Sequence, residues 1–180
     1  MITDSAVNFV SPGSPLSLVG AAGVAISSAI YDILGVGVGV APQGIIGTRT
    51  LFGEDLGVGE SPLLDVVMGI AAATANAATL NVQFQGAVDT GAAGGYLPGA
   101  WITLVETGFL PLTALTAGAV IARFPFAMAV PANVLPRFLR LNFAPLVATN
   151  FTGGSIAFAT VTKVRDDWTV GYAAKNFVVQ

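Results

Sequence analysis

The chain of 180 residues contains no cysteine and no histidine. Without cysteine there is no disulfide framework and no thiol redox centre. Without either residue, zinc sites built from thiolates and imidazoles are impossible, and so are Ser-His-Asp and Cys-His catalytic arrangements. Charge is scarce as well: Asp, Glu, Lys and Arg together make up 9%, against about 25% in an ordinary soluble domain. Hydrophobic residues reach 54%, the reverse of the composition that keeps a chain disordered. With so little charge to cover its exterior, the folded chain must leave apolar or weakly polar surface exposed, and large exposed apolar patches mark partner interfaces. The composition therefore predicts one domain, with or without an arm, that lives in an assembly.

The mean hydropathy of +0.78 raises the question of a membrane. Two long stretches lack charge, Val66 to Val88 and Leu141 to Thr162. The first is rich in Ala and broken by Asn76, Asn81, Gln83, Gln85 and Gly86; the second holds Asn142, Pro145, Asn150, Gly153 and Gly154. Neither has the Leu, Ile and Phe density of a spanning helix. The opening Met-Ile-Thr-Asp lacks the basic region of a signal peptide. The expectation is no membrane and synthesis in a cytoplasm.

Apolar periodicity favours strands. Leu80, Val82 and Phe84 alternate with Asn81, Gln83 and Gln85; Leu139, Leu141 and Phe143 alternate with Arg140 and Asn142. In Ser155 to Lys163, Ile156 and Phe158 share a face opposite Ala157, Ala159 and Val161. Period two puts one face inward and one outward. Further candidate strands are Val24 to Leu34, Leu63 to Ile70, Trp101 to Glu106 and Ala119 to Phe126. Segments rich in Gly, Pro, Asn and Asp separate them, at 41–44, 53–62, 88–99, 131–136 and 149–154. Ala71 to Ala78, the one stretch of helix formers, is interrupted by Thr and Asn and reads as a loop. Short strands at this spacing predict an all-β, antiparallel sandwich or barrel.

The charge is sorted along the chain. Residues 1–120 carry eight acidic and one basic residue; residues 121–180 carry two acidic and six basic ones. Arg123, Arg137 and Arg140 are candidates for a protein interface, since a guanidinium suits bidentate ion pairs. Nucleic acid would want a basic domain, and the pI is about 4.6. Trp168, Tyr172 and Phe177 lie in a mixed polar and aromatic tail that is either a docking arm or one more strand. Glu54, Asp55, Glu60 and Asp65 offer oxygens to a hard cation, but their spacing is not that of an EF-hand and they read as a solvated turn before a strand. The run Gly35 to Val40 has no helix pattern and no Lys-Ser/Thr behind it, so it is not a phosphate loop. No cofactor and no metal are expected.

The order of several segments resembles a known family. Met1 to Phe9 is followed by Ser27-Ser28-Ala29-Ile30-Tyr31-Asp32-Ile33-Leu34-Gly35, then Gly57-Val58-Gly59-Glu60, then Ala78-Thr79-Leu80-Asn81-Val82-Gln83-Phe84-Gln85. Leu115-Thr116-Ala117-Gly118, Leu135-Pro136-Arg137-Phe138-Leu139-Arg140-Leu141-Asn142-Phe143 and Phe151-Thr152-Gly153-Gly154-Ser155-Ile156-Ala157-Phe158-Ala159-Thr160 complete it. Together they resemble the capsid cement, or decoration, proteins of tailed bacteriophages, over roughly residues 1–167. The resemblance implies a jelly-roll β-sandwich over residues 1–167, with 36–53 as a loop insertion and 168–180 as a C-terminal extension. It implies a structural virion protein rather than an enzyme. Such a protein sits on the outer surface of the capsid, binds the phage major capsid protein, bridges neighbouring capsomers and stabilises the shell. It further implies a homodimer at local two-fold positions, with a homotrimer at three-fold positions as the rival arrangement. The alternative from another class is a ligand- or glycan-binding β-sandwich of a phage tail or receptor-binding apparatus, with Trp101 and Tyr96 as its stacking aromatics.

Overall fold

The computed structural model describes residues 2–32, 63–91, 97–125 and 136–163. The strands in chain order are β1 (Ile2–Val10), β2 (Leu16–Ser17), β3 (Ile26–Ser27), β4 (Tyr31–Asp32), β5 (Leu63–Met68), β6 (Ala73–Thr74), β7 (Leu80–Ala87), β8 (Ile102–Leu110), β9 (Val120–Pro125), β10 (Phe138–Pro145), β11 (Phe151–Gly153) and β12 (Ser155–Lys163). A 3₁₀ turn, Leu112–Ala114, precedes β9. Residues 36–53 and 168–180 lie outside the described residues.

The strands form a β-sandwich of two antiparallel sheets. One has the order β1-β12-β5-β9, with β2 also against β12; the other has β3 and β4 against β10, followed by β7 and β8. β1 and β2 are two parts of one edge. Val10 lies opposite Ala159 and Leu16 opposite Ile156, and the interruption holds Pro12 and Pro15, which have no N–H to give a ladder. β3 and β4 likewise share an edge along β10. Counted as lanes, the eight strands nest: the first pairs with the last, the second with the seventh, the third with the sixth and the fourth with the fifth.

Period two builds the core. Leu64, Val66 and Met68 of β5 meet Leu80, Val82 and Phe84 of β7 and Leu139, Leu141 and Phe143 of β10 between the sheets. Phe9 joins the layers, edge-on to Phe84 with ring centroids 5.9 Å apart. Each fully buried side chain of this size contributes about 1.5–3 kcal/mol. Two expectations from the sequence change. The strand expected over Val24 to Leu34 is split, and Ser28 fills the gap: its N–H donates to Leu141 O and its Oγ accepts from Leu141 N, both at 2.9 Å. In β12 the register against β5 shifts between Ile156 and Phe158. The shift inverts the face, so Ile156 before it and Ala159 and Val161 after it are all in the core, while Phe158 is half-buried.

Ser28→Ala leaves the buried Leu141 N–H without its acceptor. The expected loss is about 1–3 kcal/mol, read as a lower urea midpoint at unchanged slope; a midpoint equal to wild type would show that the backbone closes the gap unaided.

Candidate functional site

The three arginines do not form one basic patch. Arg123, on β9, faces outward from the first sheet and donates through Nε to Asp65 Oδ1 at 2.6 Å. Asp65 is its cross-strand neighbour on β5. The carboxylate is nearly buried and the arginine side chain is 56% exposed. This hydrogen bond, reinforced by the Asp65 charge, raises the Arg123 guanidinium above its ordinary value. Asp65 is thus a strand residue with a cation over it, not part of a solvated turn. Glu54, Asp55 and Glu60 are outside the described residues. Among those residues no group of three acidic side chains could hold a metal ion.

Arg137 and Arg140 belong to the second sheet. Arg137 precedes β10 and grips Asp32 at the end of β4 with Nε and Nη2, at 2.8 and 2.9 Å. Its Nη1 donates to Asp89 Oδ2 at 2.8 Å. Only 12% of its side chain is exposed. Asp89 also accepts from the N–H groups of Gly91 and Leu97. The Gly91 N–H above all, then the Leu97 N–H and Arg137, hold its carboxyl below the ordinary 3.8 despite opposing desolvation. Arg140 donates to Gln85 Oε1 at 2.9 Å and lies 4.1 Å over the Trp101 ring; burial pushes its guanidinium below the ordinary value. One face of Trp101 is therefore covered by Arg140. Trp168, Tyr172, Phe177 and Tyr96 are outside the described residues.

Around Arg140 the outer face of this sheet is a row of amides. Ser27 donates to Asn142, Asn142 to Gln83, and Gln83 to Glu106, at 3.1, 2.8 and 3.2 Å. Asn81 also donates to Glu106, at 2.8 Å. The alternating polar residues seen in the sequence are outward as expected, and they bond to one another across four strands.

The surface that composition anticipated lies at one end. The four connections 18–25, 69–79, 111–119 and 146–154 each cross from one sheet to the other and gather there. None contains Asp, Glu, Lys or Arg. The opposite end holds Asp32, Asp89, Arg137 and Lys163. Val19, Val24, Leu112, Leu146, Ile70 (66%) and Val147 (83%) are exposed on the uncharged loops.

The uncharged loops are braced rather than loose. β6 and β11, which lie within two of them, pair with each other. Leu18 N donates to Gly154 O, Gly23 N to Thr149 O and Ala72 N to Leu115 O. Thr74 Oγ1 donates to Asn150 O, and Asn76 and Asn150 bond side chain to side chain. Gly154, at φ +118°, lets the chain pass so close to Ala72 that a Cβ would lie 2.9 Å from Ala72 Cα. The sequence carried the uncharged character of these segments, but only the strand order shows that they converge.

No family model matches the chain, and no curated protein matches it. No helix among the described residues is long and apolar enough to cross a membrane.

Two variants probe the charged end. Arg137→Ala leaves Asp32 and Asp89 without their shared cation and should cost about 1–3 kcal/mol by chemical denaturation; a neutral result would show that solvent replaces the clamp. Asp89→Asn tests the depressed carboxyl. A group with a lowered folded pKa gives stability that is present above its unfolded value and lost as the pH falls through the folded one. The variant should lose stability near neutral pH and flatten the fall below about pH 4; an acid limb identical to that of wild type would contradict the assignment.

Proposed function

We propose that this chain is a structural virion protein of the capsid-cement type, which binds the outside of an assembled phage shell and bridges neighbouring capsomers. The observation that carries the reading is the braced, uncharged loop end. Pre-ordered loops lose little further freedom on binding, and a ready-made apolar surface suits a protein whose task is to adhere. The matching patch on the shell is uncharged too, because a charge buried against this end would lose its hydration without gaining a partner. The arginines are engaged within the chain, so they anchor the fold rather than the shell.

Two further points support the reading. The nested pairing of eight lanes supports the jelly roll that the sequence resemblance implies. The segments that carry the resemblance include β7 and β10, the central strands of the second sheet. The mechanism is thermodynamic. A protein that binds only the assembled shell stabilises it by about 2.7 kcal/mol at a hundredfold excess over its dissociation constant.

The test is addition of the protein to shells that lack it. The shell disruption temperature should rise, and an unchanged temperature would remove the cement reading. Ile70→Asp with Val147→Asp should weaken binding at least tenfold, a loss of about 1.4 kcal/mol or more, without changing the melting temperature of the free protein. Binding should survive about 1 M salt, at which surface charges are screened; a steep loss of affinity with salt would move the docking surface to the charged faces.

A further inference from the structure

One charge on the outer face of the second sheet has no counter-ion among the described residues. Arg140 projects outward from β10, with its Nε–H on Gln85 Oε1 and its guanidinium against the Trp101 ring. Of the guanidinium's N–H donors, only the one on Nε is bonded among the described residues. Arg123 and Arg137 each hold an aspartate; among the described residues Arg140 holds no carboxylate. It is nevertheless partly desolvated, enough to push it below its ordinary value. A cation drawn partly out of water, with only neutral neighbours, favours an added anion, because a hydrogen bond between two ionised groups is stronger than one between neutral ones.

Spare hydrogen-bonding groups lie beside it. Arg140 stands opposite Gln85 on β7, and Gln85 opposite Thr103 on β8; on the next rung Gln83 stands opposite Glu106. Gln83 uses one N–H of its amide on Glu106 and keeps the other. Thr103 accepts from Gln85 at 3.4 Å and keeps its hydroxyl proton. Both side-chain bonds to Glu106 end on Oε2, which leaves Oε1 open among the described residues. Thr103 and Glu106 are exposed, and Gln83, Arg140 and Trp101 are partly so. The result is a flat field of donors and acceptors, held still by its own bonds. A cation and an indole stand at one side, and an open carboxylate oxygen stands on the far strand.

We propose that this field binds an acidic sugar, a saccharide ring that carries a carboxylate. The carboxylate takes the free Nη edge of Arg140, in the two-point geometry that a guanidinium suits. Sugar hydroxyls, which both give and accept, take the Gln83 N–H, the Thr103 hydroxyl and Glu106 Oε1. The apolar C–H face of the ring lies against the part of Trp101 that Arg140 leaves open. A plain carboxylate would use only the first of these contacts, and a neutral sugar would leave Arg140 unpaired. Glu106 repels a carboxylate, so the ligand has one orientation, with its acid end on Arg140. The groups are already in place, so little freedom is lost on binding. The site uses none of the loop-end residues, and the inference does not rest on the cement reading.

The test is calorimetric titration of the free full-length protein, without shells, with glucuronic acid and N-acetylneuraminic acid. The controls are their methyl esters, glucose and acetate. At least one of the two acids should bind at millimolar concentration, and binding by neither overturns the inference. The matching ester keeps the ring and loses the charge, so it should bind about tenfold more weakly, as should glucose; an ester that binds equally well overturns the role of Arg140. Acetate bound as tightly as the acid sugar would leave an anion site only and overturn the sugar. Arg140→Lys keeps the charge but loses the planar fork, and should weaken binding about tenfold. Because Arg140 also holds Gln85, a second variant is Thr103→Val, which should weaken binding with the melting temperature unchanged. Unchanged affinity in both variants overturns the location. Ile70→Asp with Val147→Asp should leave sugar binding intact, and its loss there would place the ligand at the loops instead.

Discussion

The contact between the inner faces of the two sheets determines where everything else lies. Leu64, Val66, Met68, Ile156, Ala159 and Val161 from one side and Leu80, Val82, Phe84, Leu139, Leu141 and Phe143 from the other close on each other without a polar side chain among them. Once these strands are in register, the chain has no choice of where to turn. Four connections cross the sandwich at one end, and Asp32, Asp89 and Arg137 lie at the other. The uncharged surface lies at that end because the four crossings gathered there contain no Asp, Glu, Lys or Arg.

Charge in this molecule is used to hold strands and loops in place. Arg123 and Asp65 tie β9 to β5. Arg137 ties the end of β4 to the residues that follow β7. Arg140 holds an amide on β7 and covers an indole beside β8. Both Arg123 and Arg137 grip an aspartate with two nitrogens; the Arg123 side chain is half exposed and contributes less than that of Arg137, which is mostly shielded from water.

Much of the fold was legible in the sequence. The alternation in β7 and β10 was strong enough to give both strand and face, and Ala71 to Ala78 is a loop with a two-residue strand in it, as its Thr and Asn interruptions suggest. β1 was not found by periodicity, because Ile2 to Val10 mixes polar and apolar residues without alternation and is held by its pairing to β12. The face of β12 was misread because a bulge leaves no mark in a run of Ala, Phe and Thr. The arginines were visible as residues but not as pairs: their partners lie 58 and 105 positions away, a distance that no local pattern spans. The uncharged end was written in four separate segments, and only the order of the lanes brings them together.

Each crossing at that end joins a strand of one sheet to a strand of the other. A surface that grips the crossings therefore holds the two halves of the sandwich against each other. Coupling between binding and folding is reciprocal. On the cement reading that we propose, the free energy of attachment to a shell would equally oppose opening of the attached copy. A bound copy under mechanical load would have to let go before it could come apart, so the weak point of such a joint is the contact and not the protein that makes it.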